Sequence, residues 1–282
     1  MAAPGALPAA VWRVRGRVFD LARPVVMGIL NVTPDSFYGP SRAVGLQAAV
    51  DHAALLADEG ADLIDIGGES TRPGASPVSE GEELRRVLPV VEQLAGRVSP
   101  AISIDTMKPG VARAALAAGA HVINDISALQ ADGMAAAAVE HKAGVILMHM
   151  HGTPATMQAS PLGAAEVVEA VMTFLRARVA AAEHAGIRRD QIAVDPGFGF
   201  GKTAEANEEV LRSLGVVAGL GLAVAVGVSR KRFIGERTGQ EAEGRLAGSL
   251  AAQVVAFTCG ARIFRTHDVR ATRDALAVAA AL

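Results

Sequence analysis

From position 25 onward the chain alternates short, unbroken apolar runs with longer alanine-rich stretches of helical character. The runs cover 25–30, 62–66, 101–104, 121–123, 144–148, 191–194, 223–226 and 262–264, and each predicts a strand. Helices are predicted between and after them at 46–58, 80–94, 109–117, 134–141, 165–184, 206–213, 246–258 and 268–280. Ahead of this series, 12–21 alternates apolar and polar positions and breaks at Gly16, which predicts a short hairpin.

Continuous apolar strands indicate a sheet covered on both faces, and alternation with helices indicates parallel strands joined by right-handed crossovers. Eight such units predict a (β/α)8 TIM barrel carrying a short N-terminal β-hairpin. A doubly wound open sheet is the competing architecture. It has fewer repeats and gathers its polar clusters at one switch point, whereas here a polar or glycine-rich cluster follows nearly every strand. No long linker divides the chain, so residues 11–282 read as one domain behind a frayed tail, 1–10.

Composition narrows the partners. With 51% hydrophobic residues, 20% charged residues and a formal net charge of −2, broad binding to nucleic acid or an anionic membrane is excluded. Any phosphate recognition has to be local. Cys259 is the single cysteine, which excludes an internal disulfide and fits a reducing cytoplasm; it reads as a buried thiol rather than a nucleophile. The first ten residues lack a basic segment and a long apolar segment, so neither a signal peptide nor a membrane span is predicted.

The chemistry collects at the strand ends, which a barrel brings to one face however far apart they lie in sequence. Asp195 ends one run and opens the loop Pro196-Gly197-Phe198-Gly199-Phe200-Gly201-Lys202. Two phosphate-binding motifs fail there on spacing. A Walker loop needs glycine where Pro196 stands, and a dinucleotide fingerprint begun at Gly197 needs one where Lys202 stands. The later frame, Gly199-x-Gly201-x-x-Ala204, lacks its acidic partner downstream, where 219–224 is wholly apolar. Asp195 is therefore the residue to explain. Lys202 lies in the same loop and reads equally well as solvated. His149 and His151 form a His-x-His strand end, and the alternative they raise is a metallohydrolase centre; Gly119 and Gly186 read as helix C-caps.

The remaining strand ends are Asn31-Val32-Thr33-Pro34-Asp35-Ser36-Phe37, Asp65-Ile66-Gly67-Gly68-Glu69-Ser70-Thr71-Arg72-Pro73-Gly74, Ser103-Ile104-Asp105-Thr106, Asn124-Asp125, Ser229-Arg230-Lys231 and Arg265-Thr266-His267-Asp268. Taken in this order, from Met27 to Asp268, they resemble the dihydropteroate synthase family of pterin-binding barrels. That resemblance implies condensation of 6-hydroxymethyl-7,8-dihydropterin diphosphate with 4-aminobenzoate, giving 7,8-dihydropteroate and diphosphate. It assigns catalysis to Asp105, Asp195, Lys231 and Arg265, and the pterin to Asp105, Asn124, Met148, Asp195, Phe200, Lys231 and Arg265. The assignment is chemically sound, because a carboxylate accepts from the paired N–H groups of a pterin while lysine donates to its oxygen and nitrogen edge.

The resemblance further implies that Asn31, Thr71, Arg72, Arg265 and His267 meet the diphosphate, with Asn31 contacting a Mg2+ ion held mainly by diphosphate oxygens and water. It implies that Thr71, Pro73, Lys231 and Arg232 meet 4-aminobenzoate. The expected mechanism is dissociative: departing diphosphate is stabilised by cationic groups, and the loops 31–45 and 67–79 act as lids that exclude water. A cytoplasmic homodimer is also implied. The second class of function is a pterin-binding module without condensation, from which Thr71, Arg72 and His267 discriminate.

Overall fold

Eight parallel strands close into a barrel in the computed structural model, which describes residues 9–32, 42–70 and 75–282. A hairpin comes first, with β1 (Val11–Val14) antiparallel to β2 (Arg17–Asp20). The barrel strands are β3 (Val25–Asn31), β4 (Leu63–Gly67), β5 (Ala101–Asp105), β6 (Val122–Asp125), β7 (Gly144–Met148), β8 (Ile192–Asp195), β9 (Ala223–Val226) and β10 (Ile263–Thr266). They pair in sequence order, and β10 closes the ring against β3. Around them run α1 (Arg42–Asp58), α2 (Glu80–Leu94), α3 (Pro109–Ala118), α4 (Met134–His141), α5 (Val167–His184), α6 (Ala204–Arg212), α7 (Leu214–Ala218), α8 (Arg232–Thr238), α9 (Leu246–Thr258) and α10 (Val269–Ala281).

The (β/α)8 barrel and its hairpin follow the sequence expectation. Two short helices do not: α7 and α8 each contain a glycine and are too short for a helical period to show. Six predicted strands also extend into the polar cluster behind them, so that Asn31, Gly67, Asp105, Asp125, Asp195 and Thr266 lie inside strands rather than after them. Apart from Gly67, their side chains are consequently aimed by the sheet rather than by a loop.

The unbroken apolar runs arise because both faces of every strand are buried. Met27, Leu63, Ala101, Val122, Ile146, Ala193, Ala225 and Ile263 fill the barrel interior. Their neighbours Val26, Ile64, Ile102, Ile123, Val145, Val194, Val224 and Phe264 face the helices. The hairpin plugs the lower end of the interior: Trp12 is fully buried among the inner residues, and its indole Nε1 donates to the Gln191 carbonyl at 3.0 Å. A Cβ at Gly144 would overlap Val14, so that strand start must be glycine for the plug to seat. Among the described residues, no helix is long and apolar enough to cross a membrane.

Candidate active site

Side chains alternate along a strand, so every second residue above the inner apolar layer also points into the barrel. Asn31, Asp65, Asp105, Asn124, Met148, Asp195 and Arg265 all fall on this parity, two or four positions above Met27, Leu63, Ala101, Val122, Ile146, Ala193 and Ile263. The apolar interior thus ends upward in a ring of carboxylates, amides and one guanidinium. Gly67 shares the parity and leaves space; a Cβ there would stand 3.6 Å from Asp105 Cβ and 3.8 Å from Asn31 Oδ1.

Arg265 organises one side of the ring. Its Nε donates to Asp65 Oδ2 at 2.6 Å and its Nη2 donates to Asp105 Oδ2 at 2.8 Å. Asn124 Nδ2 donates to the same Asp65 oxygen at 3.0 Å, which leaves the amide oxygen of Asn124 for a ligand. Asp65 is fully buried and its Oδ1 has no hydrogen-bond partner. Burial would lower the Arg265 pKa, but Asp65 and Asp105 hold it above its ordinary value. Asp105 is pushed up to about 7 by burial, against the attraction of Arg265 and with the repulsion of Asp65.

Asp195 stands opposite, at the end of β8. Its Oδ1 accepts from Gly197 N at 2.7 Å, yet burial still raises its pKa to about 6, outweighing that bond and the nearby Lys231, Lys202 and Arg265. Such a buried carboxylate can accept further hydrogen bonds, and a planar ligand edge with two N–H groups would supply them. The loop behind it runs flat against the end of β7. Gly197 and Gly201 adopt left-handed φ of +71° and +66°, and a Cβ on either would overlap the carbonyl oxygens of His149 and His151 respectively. Phe200 is thereby carried under the Lys231 ammonium, 4.3 Å from the ring centroid.

Lys202 corrects one expectation. It is only 4% exposed, and its Nζ reaches the Gly197 carbonyl at 2.8 Å, the Phe200 carbonyl at 3.2 Å and His149 Nδ1 at 3.0 Å. Burial, Lys202 and His151 push the His149 pKa down to about 3. Facing the Lys202 ammonium, its Nδ1 serves as the acceptor. Among the described residues, no group of three His, Cys, Asp or Glu side chains could hold a metal ion.

The third wall comes from the loop before α8. Ser229 Oγ lies 3.0 Å from His267 Nδ1 and accepts from His267 N at 3.3 Å, tying that loop to the end of β10. Arg230 adopts a left-handed φ of +56° and forks onto Asp268, with Nε and Nη2 at 3.1 and 2.6 Å from its two oxygens. Arg232 is placed apart from the ring. Its side chain is 81% exposed on the first turn of α8, where Nε donates to Glu236.

Thr71, Arg72 and Pro73 lie outside the described residues, as do Thr33 to Phe37; of the expected lid 31–45 positions 33–41 fall outside the description, and of the expected lid 67–79 only 71–74. The stem of the second lid is described. Lys108 Nζ bridges Glu69 Oε2 and the fully buried Glu83 Oε2, and Glu69 Oε1 accepts from Val78 N at 2.9 Å. Sequence reasoning gave no role to Asp65, Lys108 or His149 as acceptor. Only strand parity marks Asp65, which sits two positions above Leu63 within an apolar run.

A closed (β/α)8 barrel whose mouth gathers buried carboxylates, an amide and cations is an enzyme-type scaffold with a site for a flat, polar-edged ligand. A family model described as pterin binding enzyme matches residues 27–267. The dihydropteroate synthase of Escherichia coli strain K12 is 47% identical over 264 residues, covering 94% of this chain and 93% of that protein. A solved structure of the Xanthomonas albilineans dihydropteroate synthase with 4-aminobenzoic acid is 49% identical, with a TM-score of 0.89 over 96% of this chain and 97% of that one. The same bacterium's enzyme in complex with 7,8-dihydropteroate is 46% identical, with a TM-score of 0.85 over 95% and 97% of the two chains. The chain belongs to the pterin-binding enzyme family, among its dihydropteroate synthases.

Proposed function

We propose that this barrel condenses 6-hydroxymethyl-7,8-dihydropterin diphosphate with 4-aminobenzoate to form 7,8-dihydropteroate and diphosphate, a transferase step of folate biosynthesis. The observation that carries the reading is the pairing, across one barrel mouth, of the buried Asp195 carboxylate with the Arg265–Asp65–Asp105 network. The E. coli relative bears the name of this activity, and solved neighbours were captured with 4-aminobenzoic acid and with 7,8-dihydropteroate.

In this reading Asp195 accepts from the pterin 2-amino group and N3–H. The free oxygen of Asn124 and the carboxylate of Asp105 take the other N–H groups, while Lys231 donates to the O4 and N5 edge. Met148, which pairs with Asp195 across β7 and β8, and Phe200 offer apolar contact. A ligand lacking one of these partners would leave a buried polar group unpaired, at a cost of about 1–3 kcal/mol.

Arg265 and His267, with Arg72 and Thr71, bind the diphosphate, and the positive end of α10 adds to them. Asn31 suits a Mg2+ ion: it offers one neutral oxygen beside Asp105 and Gly67, and diphosphate oxygens and water would complete the shell. When bound, the ion supplies charge neutralisation to the leaving group. The residues then face a dissociative substitution, in which cations hold the departing diphosphate and exclusion of water protects the exocyclic cation until the aniline nitrogen attacks. Thr71, Pro73 and Lys231 receive 4-aminobenzoate. Arg232 reaches its carboxylate only by leaving Glu236.

We also propose a cytoplasmic homodimer. Cys259 suits a reducing compartment, and Val216, Leu246 and Val255 stand exposed on α7 and α9. The test of function is direct: protein mixed with both substrates and Mg2+ forms 7,8-dihydropteroate. Pterin binding with no product would make the chain a pterin-binding module instead.

A further inference from the structure

Lys202 sits in the wall that holds Asp195 and Phe200, but it is sealed away from the mouth. Its three ammonium N–H groups face three acceptors, the carbonyls of Gly197 and Phe200 and the Nδ1 of His149, at 2.8, 3.2 and 3.0 Å. Each ammonium proton has its own partner, so the side chain has nothing left to offer a ligand. What it holds is informative. Gly197 is pinned on both sides, because its N–H donates to Asp195 Oδ1 at 2.7 Å while its carbonyl accepts from Lys202 and from Phe200 N at 3.2 Å. The Phe200 carbonyl accepts from Lys202 and, at 3.5 Å, from His151 N.

Three glycines at φ of +71°, +81° and +66° make the 197–201 backbone the least self-restrained stretch of the site. Three outer bonds support it, from Gly199 N to Asn207 Oδ1 at 2.7 Å, from Gln158 Nε2 to the Gly199 carbonyl at 3.4 Å and from Leu162 N to the Gly201 carbonyl at 2.9 Å. None of them reaches the carbonyl of Gly197 or of Phe200, the two residues that set the Asp195 carboxylate and the ring beneath Lys231.

We propose that Lys202 is a positioning residue for ligand recognition: a buried ammonium that fixes the Gly197 and Phe200 peptide planes, and through them Asp195 and the Phe200 ring. The inference rests on the pterin reading of the site. Keeping a charge there opposes desolvation, which pushes the lysine down to about 7 while Asp195 raises it and Lys231 lowers it further. A purely structural lysine would stabilise the fold without regard to which ligand binds. A positioning lysine acts on one wall only.

The test uses the whole protein and three measurements: melting temperature, pterin dissociation constant by fluorescence titration, and inhibition by inorganic diphosphate. Lys202→Met keeps the length of the side chain and removes every donor. Pterin binding should weaken about tenfold or more while diphosphate inhibition stays within about twofold. Adding Lys202→Met to Phe200→Ala should cost clearly less than adding it to the wild type, because part of what it positions is already gone. Pterin affinity unchanged in Lys202→Met, equal losses for both ligands, or full additivity with Phe200→Ala would each overturn the proposal. Should Lys202→Met not fold, His149→Leu removes a single acceptor and decides the matter: about threefold weaker pterin binding supports the proposal, and unchanged binding overturns it. A wild-type protein that binds no pterin would remove the functional reading and this inference together; wild-type binding with indifferent variants removes this inference alone.

Discussion

Arg265 and Asp65, 200 positions apart in the chain, meet at 2.6 Å inside the barrel mouth, where the aspartate has no exposure to solvent. The guanidinium is the only cation bonded to that carboxylate among the described residues, and the same side chain also holds Asp105. Removing one member of a buried pair strands the other charge. Arg265→Leu should therefore lower stability by about 3 kcal/mol in urea denaturation. A loss under about 1 kcal/mol would show that Asp65 is not held as an ion by Arg265.

Asp105 and Asp195 give the stability an unusual slope against pH. Burial raises them to about 7 and about 6, from the ordinary carboxylate value of 3.8. Between these values the folded state keeps protons that the unfolded chain has released. Their contribution to stability is thus complete below about pH 4, falls as pH rises towards 7 and is level above it. Asp105→Asn should flatten that fall in urea midpoints measured from pH 4.5 to 7.5. Pterin affinity should move the other way, weakening below pH 6 as Asp195 takes up a proton and loses acceptor capacity.

Gly197 and Gly239 separate two costs of adding a methyl group. Both have left-handed φ, +71° and +69°, but a Cβ on Gly239 meets nothing within 4 Å while one on Gly197 overlaps the His149 carbonyl. Gly239→Ala should cost about 1 kcal/mol from backbone strain alone. Gly197→Ala should cost about 3 kcal/mol or more and weaken pterin binding as well, because His149 and the loop must part. Thermal melts of the two variants check this, and equal losses would contradict it.

Among the described residues, Lys108 is the only ammonium between Glu69 and the fully buried Glu83. Lys108→Met should cost about 3 kcal/mol, and Lys108→Met combined with Glu83→Leu should regain much of it, since apolar groups replace a stranded buried charge. Urea denaturation of the single and double variants measures both. A double variant less stable than the single would contradict it.

The barrel was legible in sequence because burying both strand faces requires unbroken apolar runs, a pattern that survives without any side-chain geometry. The mouth was legible where a polar residue ends a run, as at Asp105, Asn124, Asp195 and Arg265. Asp65 was harder to see because apolar residues flank it and only its parity points it inward. Lys202 was harder still. Its burial depends on three glycines that let the backbone carbonyls turn toward its ammonium, and a lysine in a loop ordinarily reaches water. Arg232 was assigned to 4-aminobenzoate by the family resemblance and not by any local pattern, and the first turn of α8 holds its side chain outward against Glu236.

The division of the mouth into a wall that reads the pterin and cations that hold diphosphate is tested most directly by titrating each ligand separately into the wild type and Asp195→Asn. The amide keeps the size of the side chain but can no longer accept two N–H bonds through two oxygens. Pterin binding should weaken about tenfold or more, with inhibition by inorganic diphosphate changed by no more than about twofold. Equal losses for both ligands, or an unchanged pterin affinity, would contradict the division.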